Sequence, residues 1–280
     1  MVQAASTALA NTTSSVSLAL DSEELANTYE RVSTRQFEHG KVLIDALGPA
    51  RGERVLDVGC GTGRLGAEVA ERVAPDGEVI GIDPLPLRVD IATGKHRAFR
   101  AFVGRAEDLS AFEDRSFDVA YMNSVLHWIE DKPRALGELR RVLRAGGRVG
   151  VNSADGRRPH QSAQLARRAA LAAGLGDAGA ASAFGTTYRV DGEVLGQLLH
   201  EAGFIDVAVQ EHTFVDTLSG VDDLLSWSQS SSFGNFLAGA TPVEVQRLRA
   251  QLALELETFR TPRGIRLERY LVFATARRPA

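Results

Sequence analysis

Cysteine is nearly absent from this sequence: Cys60 stands alone among 280 residues. It has no intramolecular disulfide partner and cannot build a thiolate zinc site, which makes a reducing, cytoplasmic compartment the default. No run of about 18 apolar residues occurs, so no membrane insertion is expected. Neither charge sign dominates. The 32 basic and 36 acidic residues leave a net charge of −4, which gives no field for nucleic acid or an anionic membrane. No Lys or Arg precedes Arg31, so the start lacks the basic stretch of a signal peptide and the arginines of a transit peptide. Residues 1–20, mostly Ala, Ser, Thr and Asn, are expected to form a disordered tail. The 44% hydrophobic content is that of a globular chain with a sizeable core.

Past the tail, Leu25, Tyr29, Val32, Leu43, Ile44 and Leu47 recur at helical spacing, which predicts a helical segment over 21–47 with a kink near His39 and Gly40. Short apolar runs then alternate with helical stretches: Arg54 to Val58, Val79 to Ile82, Ala101 to Val103, Phe117 to Met122 and Arg148 to Val151. Such alternation predicts a doubly wound α/β core over 48–155, with helices on both faces of a parallel sheet. Leu136, Leu139 and Leu143 mark a helix expected to stop at Gly146 and Gly147. In 156–280, helices are predicted over 160–174 and from Val194 to Gly203, with a mobile loop at 176–186 between them. A late strand pair is expected at Ile205 to Val215 and Arg269 to Thr275. Two helices between these strands, the second opened by Thr241, Pro242 and Glu244, predict a helical lid over 219–259.

The chemistry concentrates in Val55-Leu-Asp-Val-Gly-Cys-Gly-Thr-Gly63, where a buried strand runs into alternate glycines before a helix. Glycine lets the backbone bend sharply and approach a ligand closely. Twenty residues beyond Gly63, at the end of Glu78-Val-Ile-Gly-Ile-Asp83, a carboxylate stands where it can take both ribose hydroxyls. A dinucleotide fingerprint needs its third glycine one place later, where this chain has Arg64. Asp57, two residues before Gly59, would repel a pyrophosphate and suits an ammonium. The pattern therefore favours a ligand with a ribose and an amino acid moiety.

On these residues the sequence resembles the class I S-adenosylmethionine (AdoMet) dependent methyltransferases, in the small-molecule branch similar to ubiquinone and sterol methyltransferases. Gly104-Arg-Ala-Glu-Asp-Leu109, Ser116-Phe-Asp-Val-Ala120, Ser124-Val-Leu-His127 and Gly146-Gly-Arg148 extend the match. The resemblance implies a Rossmann-like seven-stranded sheet with its last strand antiparallel, an N-terminal helical flap and AdoMet as cofactor. It assigns Asp57, Gly59, Cys60, Gly61, Thr62 and Gly63 to the methionine part, Asp83 to the ribose, and Pro84 and Ala106 to the adenine. Arg105 stands where the family usually has Asp, with Glu107 as its candidate substitute. Tyr29 on the flap and Asn123 complete the expected cofactor set.

His127 is the candidate general base, against the plainer reading of a histidine capping local backbone. The remaining histidines, at 39, 96, 160, 200 and 212, have no metal-ligand spacing and read as surface or satisfied groups; no metal is expected. Trp128, Trp227, Phe233 and Phe236 are the candidate acceptor wall, which implies a small, mainly apolar partner such as a natural product, quinone, terpenoid or lipid-like molecule. Self-association is left open. A non-methylating step such as cyclisation, and a non-catalytic AdoMet-binding subunit, are the alternatives, because a fold does not fix a function.

Overall fold

A computed structural model describes residues 17–174 and 187–280. The expected loop at 176–186 and most of the expected tail lie outside the described residues. Residues 17–20 do not behave as a tail. Leu18–Leu20 form a 3-10 turn, and Ser17 exchanges two hydrogen bonds with Asn235, its N–H donating to Oδ1 (2.9 Å) and its carbonyl accepting from Nδ2 (2.8 Å).

Strands β1 (Arg54–Val58), β2 (Glu78–Asp83), β3 (Phe99–Val103), β4 (Phe117–Asn123) and β5 (Leu143–Ala154) pair in parallel in the order β3-β2-β1-β4-β5. The sheet continues through β8 (Gly264–Arg277), antiparallel to both β5 and the edge strand β6 (Ile205–Leu218). The expected antiparallel last strand is thus present. A two-residue β7 (Arg260–Thr261) folds back on β8 as an addition that the sequence pattern did not signal.

Strand alternation divides the core into two faces. Val55, Val79, Val119 and Tyr121 pack with Leu43, Ile44 and Leu47 of α2 (Thr34–Leu47) and with Leu65, Val69 and Val73 of α3 (Arg64–Val73). Leu56, Ile80, Ala120 and Val149 meet α5 (Lys132–Val142) through Leu136 and Leu139. They also meet α7 (Gly192–Glu201) through Leu195 and Leu199. α4 (Pro86–Ala92) follows β2.

A separate apolar cluster lies off the sheet end, where β6 and β8 continue past their neighbours. There α6 (Gln161–Ala172), α8 (Val221–Ser231) and α9 (Pro242–Glu257) bury Leu165, Leu224, Leu248 and Leu252 against Leu218 and Leu267. The capping box expected at Thr241 and Glu244 opens α9.

Two expectations about helix boundaries are corrected. The N-terminal break falls at Ser33, between α1 (Glu23–Val32) and α2, and His39 and Gly40 lie inside α2. Gly40 is there for close approach: a Cβ would sit 2.5 Å from Leu65 Cδ2 and 2.9 Å from Asn123 Nδ2. The helix expected to reach Gly146 ends at Val142, and Leu143 already pairs with Phe117 in the sheet. Gly146, at φ 72°, serves a bend in β5 whose N–H reaches the Arg278 carbonyl.

Gly150 on β5 shows how tightly α2 lies on the sheet, since a Cβ there would approach Leu47 Cδ1 to 2.6 Å. Gly150→Val should therefore lower stability by about 1–3 kcal/mol through overpacking, read as a lower urea midpoint with an unchanged slope.

Candidate functional site

The turn from β1 into α3 holds Gly59, Gly61 and Gly63 at φ 78°, 54° and 79°, a left-handed conformation that glycine alone adopts without penalty. Neighbours also exclude side chains: a Cβ on Gly59 would lie 2.3 Å from Val125 Cγ2, and one on Gly63 2.6 Å from Phe99 Cε1. Gly63 thus acts by packing and does not line the cavity. The N–H groups of Gly59 and Cys60 both donate to the Ile82 carbonyl, at 2.7 and 2.9 Å, and Gly61 N–H donates to Asp83 Oδ2 at 2.9 Å. Asp83 Oδ1 accepts from Leu85 N–H at 3.0 Å. Both Asp83 oxygens are fixed by backbone and keep lone pairs for further donors.

Asp57 lies beneath this turn, 2% exposed. Burial pushes its carboxyl up to about 7, with the Tyr121 hydroxyl opposing and the Asp83 charge adding to the shift. Its Oδ2 has no hydrogen-bond partner among the described residues. A buried carboxylate atom left open costs free energy unless a ligand completes it. It faces a recess lined by Gly59, Cys60, Thr62, Tyr29 and Asn123. Burial drives the Cys60 thiol well above its ordinary range, so the residue fills space and is not nucleophilic.

A cavity of about 590 Å³ opens beside the recess and runs along the carboxyl ends of the strands. At one end it is lined by Tyr29, Gly59, Gly61, Asp83, Pro84, Ala106 and Glu107. Arg105 also lines it and pairs with Glu107 at 3.5 Å, so the candidate substitute acid is already engaged by the residue that displaced the usual one. Asn123 is held on both sides, donating to the Gln36 carbonyl (3.0 Å) and accepting from Asn152 (2.7 Å). It borders the cavity mainly as a strut between α2 and β5.

The structure brings the four proposed acceptor residues to the same cavity. Trp128 packs against Phe233 with ring centroids 4.9 Å apart, and Trp227 and Phe236 line the wall with them. Phe233 has φ 45°, unusual for a bulky residue, and is held there among Leu85, Leu18 and Trp128. His127 also lines the cavity, with Nδ1 3.2 Å from Ser153 Oγ. Burial first, then the Arg189 charge, lowers it to about 3. The ring is neutral at physiological pH, a hydrogen-bonding partner unless a substrate raises its basicity.

Several lining residues escaped sequence reasoning. His39 and His160 are not surface groups; both are buried and border the cavity. His39 packs on Phe214 at 4.1 Å, and His160 Nδ1 accepts from Tyr270 N–H. Gln36, Arg189 and Arg269 also reach the cavity. Only the fold brings these together, because they come from elements far apart in sequence.

Arg88 of α4 joins the covering parts. Its Nη2 donates to the Ser230 carbonyl of α8 (2.6 Å) and pairs with Asp21 (3.3 Å), both side chains being 4% exposed. The guanidinium also lies 4.4 Å from the Tyr29 ring centroid.

The fold and site together define a Rossmann-like architecture with a glycine loop and two carboxylates at the strand ends. Within that architecture, residues 56–151 match the family model of a methyltransferase domain. An uncharacterized methyltransferase of Mycobacterium tuberculosis is 39% identical over 108 residues, which is 39% of this chain and 42% of that protein. A trans-aconitate 2-methyltransferase of Deinococcus radiodurans is 28% identical over 201 residues, 70% of this chain and 75% of the relative. Among solved structures, the YcgJ protein of Bacillus subtilis superposes with a TM-score of 0.58 at 16% identity, over 87% of this chain and 99% of that one. The alignment to the mycobacterial protein spans less than half of its length.

Arg88→Ala should leave the Asp21 carboxylate buried without its cation and cut the α4 tie to the Ser230 carbonyl, which keeps the Phe233 N–H at 3.2 Å. A loss of about 3–5 kcal/mol is expected, measured by urea unfolding, together with faster proteolytic cleavage within α1.

Proposed function

We propose that the protein is an AdoMet-dependent methyltransferase acting on a small organic acceptor by in-line transfer. The observation that carries this reading is the open, buried Asp57 Oδ2 beside the left-handed glycine turn that also fixes Asp83. Asp57 fits the ammonium of a methionine moiety and Asp83 the two ribose hydroxyls. Pro84 and Ala106 supply an apolar edge for the adenine. AdoMet, when bound, supplies an electrophilic methyl group on a sulfonium. The protein then has chiefly to align the acceptor and exclude water.

Tyr29, with its Cε1 at 3.4 Å from where a Gly61 Cβ would stand, covers the turn as part of the α1 flap. The elements around α8 close the acceptor side with Trp128, Trp227, Phe233 and Phe236, and neutral His127 offers the acceptor a hydrogen bond. The methyltransferase names of the mycobacterial and Deinococcus relatives support the reaction class, and the second supports a small organic acceptor. The single buried cysteine agrees with a cytoplasmic setting. Among the described residues no helix is long and apolar enough to cross a membrane.

Incubation with labelled AdoMet and a metabolite extract, followed by mass spectrometry, tests the activity. A methylated product is expected from the wild type, and its absence would sink the reading. Asp83→Ala should weaken AdoMet by about 2 to 4 kcal/mol, from the unpaired ribose hydroxyls, as read by titration calorimetry.

Asp57 adds a pH signature. A group at about 7 in the free protein must lose its proton to pair with an ammonium. Affinity should therefore rise about 10-fold per pH unit below 7 and fall again above about pH 8, where an α-ammonium loses its own proton. Asp57→Asn should bind weakly at every pH and lose that slope. In the free protein the raised value works against folding as pH increases: stability declines from about pH 4 to 7, because the native state retains a proton that the unfolded chain has released.

A further inference from the structure

The acceptor end of the cavity is apolar in its aromatic residues but not in its charge. Arg269 and Arg35 share Asp216, at 2.8 and 3.6 Å, and both guanidinium groups lie over the Trp227 ring, at 4.3 and 5.6 Å. Asp223, whose charge also acts on Arg35, is turned to the Ser219 N–H and hydroxyl. Arg189 has no carboxylate partner among the described residues; its Nε donates to Thr187 Oγ1 at 2.9 Å, which leaves the rest of the guanidinium fork free.

Arg189 is also held in place. Tyr188 N–H donates to the His127 carbonyl at 2.8 Å, and the Val190 carbonyl accepts from Gly156 N–H at 3.0 Å. The backbone on both sides of Arg189 is thereby tied to the sheet end. Among the described residues lining the cavity, the carboxylates are Asp83 and Glu107. Asp83 ends β2 and Glu107 follows β3, whereas Arg189 lies beyond β5, and neither acid pairs with it among the described residues. Arg189 is half-buried at the cavity wall, where a guanidinium with free donors is better satisfied by an anion than by the partial hydration left to it.

We propose that Arg189 is a specificity-determining residue that binds a carboxylate on the acceptor, so that the substrate is an amphipathic carboxylic acid and not a neutral apolar molecule. The proposal rests on the methyltransferase reading for the word acceptor, but the binding chemistry is independent of it. The planar guanidinium fork matches a carboxylate through two parallel N–H donors. Trp128, Phe233 and Phe236 then receive the apolar body. The neutral rings of His127 and His160 border the same space without competing for the anion.

Both tryptophans of the chain line this cavity, so intrinsic fluorescence reports its occupancy. The probes are octanoate, octan-1-ol and octylamine, titrated with and without saturating S-adenosylhomocysteine. Octanoate should bind roughly 10-fold or more tighter than octan-1-ol, and octylamine weakest. Arg189→Gln should raise the octanoate Kd roughly 10-fold or more while leaving octan-1-ol within about twofold. Arg189→Lys, which keeps the charge and loses the fork, should fall between.

Equal binding of octanoate and octan-1-ol, no binding of either, or an undiminished octanoate preference in Arg189→Gln would overturn the proposal. Calorimetry with S-adenosylhomocysteine separates the two readings. Absent heat in the wild type counts against the methyltransferase reading alone, since the octanoate comparison is also made without the nucleoside. Unchanged heat in Arg189→Gln confirms an intact cofactor site in that variant.

Discussion

The structure depends on the sharp left-handed turn between β1 and α3. A parallel strand must give way to a helix within five residues; positions 59, 61 and 63 all take left-handed φ there, and a Cβ at 59 or 63 would collide with Val125 or Phe99. The same bend turns the Gly61 N–H onto Asp83 and leaves Asp57 buried with an open oxygen. Fold and site therefore share one local geometry. The hydrogen bonds that close the turn onto β2 also set the distance between the two carboxylates that define the ligand.

The contiguous part of this arrangement was legible in the sequence. The glycine spacing and the Asp83 offset are local, and the strand-helix alternation fixes a parallel sheet because each crossover must bury an apolar face. Strand β1 has the bounds that its apolar run suggests. The less legible parts were set by tertiary contact. Gly40 reads as a helix breaker and is a close-packing site, while the break occurs at Ser33. His39 and His160 read as surface or satisfied residues, and spacing could not tell which, because burial is not encoded by it; both are buried. Arg189, just past a small-residue stretch, gives no periodic signal at all; its importance comes from what surrounds it.

The cavity also corrects a simple view of the acceptor wall. Aromatic residues concentrated between 227 and 236 suggest an apolar surface, and they do form one. Yet Trp227 is faced by two guanidinium groups and donates its indole N–H to Gln36 at 3.3 Å. Such a tryptophan contributes area and also organises charge. The apolar cluster that α6, α8 and α9 form with the ends of β6 and β8 is separate from the core beneath the glycine turn.

The buried Arg88 contact has a thermodynamic consequence. Because one guanidinium holds Asp21 before α1, Ser230 in α8 and the face of Tyr29, neither cover can leave without weakening the attachment of the other. Loosening either segment therefore loosens the other, and the coupling free energy is the same in both directions.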